Sequence, residues 1–569
     1  MNPPAIPPAL AALDPNALPE SELRAALVTV LSFCDVLVAF QAELIERGTQ
    51  LEVEIARLKG EHPPRPRGTG EGGGTKPASD AAGGHSSEEA RGQAETKSGV
   101  RQRKRKRPKL PRLRITHEIY LPRPPDLPAD AQYKGREPKV VQEVEIHVKV
   151  CRFWLMKFHS RSTGRTYYSK MPPGYKGEFG PGVRTWGLAL HHYANVTTPL
   201  LHGLFRRMGL DIGKSTVTRL VTERLKPFHE EAQDVLKAGL ASTWWQHHDV
   251  TSTRVKDEWY ACHVIANALH TTYRTTPRQD RESVIDALRG GAPRRYRWDE
   301  MAEGLLRVAS IPNYAFYALC KLGRGQEWDS QGMTEMLATT GAQFTDDTRK
   351  LVLDAMAIAA YRAAGDWPVV PCLLTDDAKQ GRGITELHAL CWVHDARHYN
   401  KLVPARDCQR AVLAEVQDAY WGFYGELLKY QKKPSPEEAV RLEQRFDELF
   451  TRVTGYAALD GRLAKTFANK PRLLLVLKYP ELPLHNNAAE IAARRRVRRR
   501  HQSLGPQSAH GLKAWDTFQS LCETAQKLGV SFLDYLQDRI TSAGQVPRLD
   551  ALIAAKAAEL RLNMSWNSG

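Results

Sequence analysis

The sequence predicts an α/β fold with helical insertions, preceded by a coiled-coil helix, a flexible linker and a helical region. Three stretches carry that reading. In PVVPCLLTDDAKQG (368–381) an apolar run ends in Asp376 and Asp377, the pattern of a buried parallel strand that delivers a carboxylate to the edge of a sheet. In STWWQHHDVTSTRVKDEWYACHVIANALHTTYRTTP (242–277) three strand-like runs form a meander, the first ending at Asp249. In PLHNNAAEIAARRRVRRRH (483–501) an Asn-Asn turn, an Ala-rich helix, Glu490 and six arginines fall within a few helical turns.

From the start, residues 1–20 are Pro/Ala-rich. From Leu23 an apolar residue returns every seventh position, through Val30, Leu37, Leu44, Leu51 and Leu58. A second seam, Leu27, Cys34, Gln41, Gly48 and Ile55, is only partly apolar. Residues 1–59 therefore read as a short coiled-coil helix, and a coiled coil implies a partner helix, here a second copy of the chain. Residues 60–114 are Gly/Pro/Ser/Glu-rich and then strongly basic. They read as a flexible linker running into an arm, RQRKRKRPKLPRLR, whose Arg103, Lys104, Arg105 and Lys106 can hold phosphates without reading sequence.

Residues 115–240 read as a DNA-binding region. VQEVEIHVKVCRFWLMKFHS has strand-like alternation, and 198–225 read as a helix–turn–helix, TTPLLHGLFRRMG–LDIG–KSTVTRLVTERL, with Ser215 as a cap near the start of the second helix. Cys151 stands alone, so no zinc ribbon can be assembled there. The α/β region spans 241–540, with helical insertions at about 291–365 and 402–480 and a tail over 541–569. RQDRESVIDALRG (278–290) follows the third strand as a helix, and GLKAWDTFQSLCETAQKLGVSFLDYLQDRI reads as a closing helical pair.

Composition bounds the partners. Lys+Arg 81 against Asp+Glu 64 gives +17, with a pI near 9.4, and a basic excess of that size points to a polyanion, most often nucleic acid. The eight cysteines, at 34, 151, 262, 320, 372, 391, 408 and 522, form no CxxC and no disulfide framework, which fits a reducing cytoplasm. MNPPAIPPALAALDP lacks the basic start of a signal peptide, and the apolar stretch Ala25 to Phe40 is interrupted by Asp35 and too short to span a bilayer. No membrane partner is expected.

Asp249 and Asp376 at strand ends and Glu490 near the positive start of a helix are three carboxylates that repel one another unless they share divalent cations. Hard oxygen ligands suit Mg²⁺ or Mn²⁺, and two such ions about 3.5–4 Å apart serve in-line phosphoryl displacement. On the same helix, Arg494, Arg495, Arg498 and Arg499 are candidates for phosphate contacts.

These stretches resemble the IS66 family of DDE transposases. HHDVTSTRV (247–255), LLTDDA (373–378), ELHALCWVHDARHYNKL (386–402), LHNNAAEIAARRRVRRR (484–500) and SLGPQSAHGLKAWDTF (503–518) carry the resemblance over most of 240–540. It implies an RNase H-like catalytic domain with acids at Asp249, Asp376 and Glu490, Asp377 being the alternative second ligand. It also implies cleavage at terminal inverted repeats, strand transfer into target DNA, a homo-oligomer, companion proteins of the same element, and a place on the nucleoid. Cys391 and His394 match a CxxH motif expected to brace the site, with no zinc assigned. The sequence departs from the family in lacking a cysteine cluster before the catalytic domain and in having Val250 where an acid commonly follows the first Asp. Residues 291–365 extend beyond the shorter members. Two other readings use the same residues: an RNase H-like nuclease or resolvase that cuts without joining, and a catalytically silent DNA-binding derivative.

Overall fold

The computed structural model describes residues 114–560 and 562, apart from positions 124, 129, 145, 176 and 257. The coiled-coil helix, the linker, and the arm with Arg103, Lys104, Arg105 and Lys106 lie outside the described residues. The chain divides into two units, one of which contributes residues 114–147 and the other everything described from Val148 onward.

In the smaller unit the described residues form turns and otherwise no regular structure, with their side chains exposed. Alternation over 141–160 predicts strands, yet among the described residues only Lys157–His159, at its end, forms one. A strand needs a neighbour to complete its ladder and a layer to cover its apolar face; Val144 and Trp154 are exposed instead. The first strands in the larger unit are β1 (Lys157–His159) and β2 (Thr166–Tyr168), a short antiparallel pair.

Four helices follow: α1 (Pro181–Leu188), which runs on into a π-helical turn at Ala189–Tyr193, α2 (Thr198–Arg207), α3 (Lys214–Thr222) and α4 (Lys226–Ala241). The expected helix–turn–helix is present as the hairpin α2–α3. Its cap is not Ser215: α3 starts at Lys214 behind Gly213, with no side-chain cap.

The meander is β3 (Trp245–Val255), β4 (Glu258–Ala266) and β5 (Thr271–Thr276), and α5 (Arg281–Leu288) follows it. Helices α6 (Glu300–Val308), α7 (Asn313–Leu319), α8 (Ser330–Thr339) and α9 (Asp346–Arg362) make up the first insertion. Strands β6 (Cys372–Thr375) and β7 (Leu387–Leu390) then complete a sheet of order β5-β4-β3-β6-β7. The meander pairs are antiparallel, and β3–β6 and β6–β7 are parallel. All four residues of β6 are buried, as an apolar run without alternation requires of a strand covered on both faces.

After β7 come α10 (Trp392–Tyr399) and the second insertion, α11 (Asp407–Lys432), α12 (Pro436–Phe450) and α13 (Ala457–Ala468), which closes its own aromatic core around Trp392, Tyr420, Phe423 and Phe446. Helix α14 (Asn487–Ser503) lies on β3 and β4, its Ala489, Ala492 and Ala493 against Cys262, Val264 and Tyr273. On the opposite face Ile265 and Leu373 join α4, α5 and α9 in the core shared with the first insertion. Helices α15 (Ala509–Leu528), α16 (Phe532–Thr541) and α17 (Leu549–Glu559) finish the unit.

One core crosses the expected boundary at 240. Phe205 and Val221 from the α2–α3 hairpin pack with Phe518 and Leu521 of α15 and with Leu549 and Ile553 of α17. The segment read as a tail from 541 therefore contains a packed helix.

Candidate active site

The first acid lies on β3. Asp249 was expected at the end of its strand; it sits instead in mid-strand, because the run continues to Val255 against β4, where Asp249 faces Val264. On the other side, the register with β6 stops at His247↔Leu374. The parallel neighbour thus ends short of Asp249, and the acid opens onto the cleft beyond that strand. His247 and His248, just before it, are both buried. His248 Nε2 lies 3.2 Å from His263 Nδ1, and His263 Nε2 lies 2.9 Å from Thr276 Oγ1. Burial pushes His247 and His263 down to about 4 and His248 well below its ordinary value, so these rings are neutral struts.

The second acid follows β6 directly. Asp376 Oδ1 accepts the Ala378 N–H at 3.2 Å, and Thr375 before it is tied to His388 Nε2 at 2.8 Å. Asp376 and Asp249 line one narrow recess together with Thr375 and Gln279. Asp377 is used differently. It accepts Arg382 Nη2 at 2.7 Å, Arg472 Nη1 at 2.9 Å and Asn469 Nδ2 at 3.2 Å. Its partial burial raises its pKa, but these donors outweigh that and hold the carboxyl below its usual range.

The third acid is in the first turn of α14, where a carboxylate is favoured by the orphan N–H groups and the helix dipole. The residue at the helix start does not use its side chain as a cap. Asn486, fully buried, donates from Nδ2 to the His248 carbonyl at 2.9 Å, bonds His247 Nδ1 through Oδ1 at 3.1 Å, and gives its backbone N–H to Cys391 Sγ at 3.2 Å. One residue thus ties α14 to β3 and to the start of α10. Trp392 N–H adds a bond to the Leu484 carbonyl at 3.0 Å. Glu490 itself is buried, with Oε2 accepting from Arg397 at 2.8 Å and Oε1 3.5 Å from His394 Nδ1.

The three acids meet around Asp249. It shares the recess with Asp376 and an open cleft of about 400 Å³ with His394, Arg397, Glu490, Arg494 and Arg498. Its carboxyl is pushed up to about 7, first by burial and then by the charges of Asp376 and Glu490, which the Val250 N–H and Arg397 offset only in part. Glu490 Oε1 is buried with no hydrogen-bond partner. A crowded trio of carboxylates with an orphaned oxygen is an arrangement that a hard divalent cation would relieve, beyond what Arg397 and Arg494 do at Glu490 Oε2. The donor set fits Mg²⁺ or Mn²⁺.

A family model described as "Transposase IS66 family" matches residues 378–514. The chain is also 34% identical over 341 residues to an uncharacterised protein, y4jO, of Sinorhizobium fredii (strain NBRC 101917 / NGR234), an alignment covering 57% of this chain and 100% of that relative. The chain belongs to the IS66 transposase family.

The IS66 match takes in Cys391, His394, Glu490 and the whole arginine run of α14, whereas Asp249 and Asp376 precede it. The structure separates those arginines by helix face. Arg494 and Arg498 are exposed and line the acid cleft. Arg495 points to α15, where it pairs with Glu523 and lies 3.0 Å from Gln526 Oε1. Arg499 is buried, 5.1 Å from the Trp515 ring centre and 3.0 Å from His192 Nδ1. The expectation of a phosphate contact is therefore corrected at Arg499, which α15 covers, whereas Arg495 keeps a side chain 41% exposed beside its Glu523 partner. Arg496, never singled out, is fully buried, paired with Asp516 and stacked 4.0 Å over Trp515. Arg500 bonds Ser252 Oγ at 3.1 Å and so anchors the helix end to β3.

Asn486, Arg397 and the buried histidines were also missed as site residues. Arg397 had a signal, since its i+3 spacing from His394 puts both on one face of α10. Asn486 belongs to the Asn-Asn turn read from the sequence, but its role as a clamp depends on β3 lying alongside, which no local pattern shows. Among the described residues no helix is long and apolar enough to cross a membrane.

Proposed function

We propose that the protein is the DNA transposase of an IS66-like insertion sequence, working on an RNase H-like catalytic domain. It binds the terminal inverted repeats of its element, cuts the ends, and joins the freed 3′-hydroxyls to target DNA. The observation that carries this reading is the meeting of Asp249, Asp376 and Glu490, from mid-sheet, a strand end and a helix start, beside the exposed Arg494 and Arg498. A mixed sheet presenting acids in that way is what the RNase H-like reading needs.

Asp249, Asp376 and Glu490 would hold Mg²⁺ or Mn²⁺, two ions, which when bound activate a water or 3′-hydroxyl and stabilise the leaving oxygen. The rest falls to the chain. Arg494 and Arg498 engage DNA phosphates beside the acids, which positions the duplex without reading its sequence. Arg397 holds Glu490 Oε2, while Oε1 is buried on the side of His394. Asn486 and the neutral histidines keep β3 and α14 in register. The basic arm at 103–106 adds affinity for the backbone, and the N-terminal helix brings two copies together so that both element ends are held in one assembly. Companion proteins of the element complete it in the cell.

The test uses purified protein, Mg²⁺ and a labelled duplex carrying the element's end, alongside Glu490→Gln. Mg²⁺-dependent cutting with joined products, absent from the variant, is the expected result. Cutting without joining would establish a nuclease instead. Binding with neither, companion proteins supplied, would establish a silent DNA-binding derivative.

A further inference from the structure

Behind the acid cleft three unlike ligand atoms converge. Cys391 Sγ, His394 Nδ1 and Glu490 Oε1 all lie within 4.8 Å of one another. Two of the three, His394 Nδ1 and Glu490 Oε1, are buried polar atoms that make no hydrogen bond and lie 3.5 Å from each other. Such orphans are rare in folded proteins and expensive to keep. Glu490 is only 7% exposed. His394 and Glu490 also line the open cleft, which gives a path in from solvent.

We propose that Cys391, His394 and Glu490 form a binding site for a thiolate-preferring divalent cation of the zinc class, separate in chemistry from the oxygen-lined acid site but sharing Glu490 with it. Sulfur, imidazole and carboxylate is a zinc-type donor set; Mg²⁺ takes oxygen. Three protein ligands leave the fourth tetrahedral position to water from the cleft. Cys391 binds as the thiolate and releases its proton to solvent, His394 binds as the neutral ring, and Glu490 binds as the carboxylate. Two ligand charges thus balance one dication. Cys391 is the N-cap residue of the eight-residue α10, and the Asn486 N–H already points at its sulfur at 3.2 Å. Both features offset only in part the burial that pushes this thiol up to about 11, so the cation itself displaces the proton.

The consequence rests on the transposase reading. Glu490 Oε1 cannot serve both sites, so a zinc-class ion at Cys391 and His394 withdraws the third acid from Asp249 and Asp376. Occupancy then holds the enzyme silent.

The test uses the full chain, metal-free and under a phosphine reductant, titrated with Co²⁺ alone. One equivalent should produce the near-ultraviolet thiolate-to-cobalt band and the visible bands of a tetrahedral ion. Zn²⁺ should bleach both, and excess Mg²⁺ neither. Cys391→Ser should remove the thiolate band, and His394→Ala should weaken Co²⁺ binding about tenfold or more. Should Cys391→Ser not fold, Glu490→Gln keeps the thiol and should weaken binding to a similar degree. No band in the wild-type protein, or an unchanged band and affinity in Cys391→Ser, overturns the site. These readouts need no DNA, so a protein that binds cobalt in this way but, freed of zinc-class ions and given Mg²⁺ and companion proteins, cuts nothing refutes the transposase reading and leaves the site standing. Mg²⁺-dependent cutting that persists with Zn²⁺ saturating the site overturns the silencing consequence alone.

Discussion

Asn486 Nδ2 donates to the backbone carbonyl of His248 at 2.9 Å, so the start of the helix carrying Glu490 is bonded to the residue before Asp249. Asn486→Ala removes that bond and the one to His247, and leaves buried groups on β3 unpaired. A loss of about 1–3 kcal/mol in denaturant unfolding is expected. Cleavage of the end duplex should fall more than stability alone explains, on the order of 10²-fold, because a displacement of about 1 Å between the acids is enough for that. Wild-type cleavage by a folded Asn486→Ala protein would show that the clamp does not set the site.

The metal-free protein should become less stable as pH rises through the range in which Asp249 ionises. Its carboxyl is raised from an ordinary 3.8 to about 7 by burial and by Asp376 and Glu490. Below 3.8 the group is protonated both folded and unfolded and costs nothing. Between 3.8 and 7 the folded state holds more protons than the unfolded one, so stability falls as pH rises. Above 7 the full cost applies, on the order of 4 kcal/mol from about 1.4 kcal/mol per pH unit. Asp249→Asn should therefore raise the thermal midpoint at pH 8 and leave it nearly unchanged at pH 4. Mg²⁺ should stabilise the wild-type protein at pH 8 and the variant far less. A variant no more stable than wild type at pH 8 would refute the crowding argument.

The parts of this fold that were legible in the sequence were those set by local pattern. The unbroken apolar run of β6 gave both its burial and the acid at its end, and the alanines before Arg494 gave the helix. Non-local facts were not legible. Strand-like alternation at 141–160 yields a strand only at 157–159, where 166–168 supply a partner. Asp249 looked like a strand end because Val250 and the polar Thr-Ser-Thr after it interrupt the apolar pattern, yet β4 supplies backbone partners that carry β3 on to Val255. The arginine run read as one charged surface, whereas Trp515 and Asp516 on α15 take Arg496 and Arg499 into the interior.

That division of the arginines predicts two kinds of variant. Arg494→Ala and Arg498→Ala should leave unfolding within about 0.5 kcal/mol of wild type, as exposed substitutions do. Each should weaken DNA binding uniformly across sequences and lower the salt slope of the affinity by about 1. Arg496→Ala should instead destabilise by about 3–5 kcal/mol, because Asp516 is left buried without its partner. Denaturant melts and salt-dependent binding isotherms separate the two classes. An Arg498→Ala protein with an unchanged salt slope would remove that residue from the DNA path.

The neighbouring acids Asp376 and Asp377 should separate in the same experiment. Asp376 lines the recess with Asp249, while Asp377 is held by Arg382, Arg472 and Asn469. Asp376→Asn should abolish Mg²⁺-dependent cleavage, by at least 10³-fold on the order of a lost catalytic charge, with melting close to wild type. Asp377→Asn should keep cleavage and lose up to about 1 kcal/mol of stability, since its ion pairs are partly exposed and screened. The geometry decides the direction, because a carboxylate already engaged by two guanidinium groups has little capacity left for a cation. If Asp377→Asn were the silent variant and Asp376→Asn the active one, the second ligand would have to be reassigned and the loop at 376–382 would have to rearrange when metal binds.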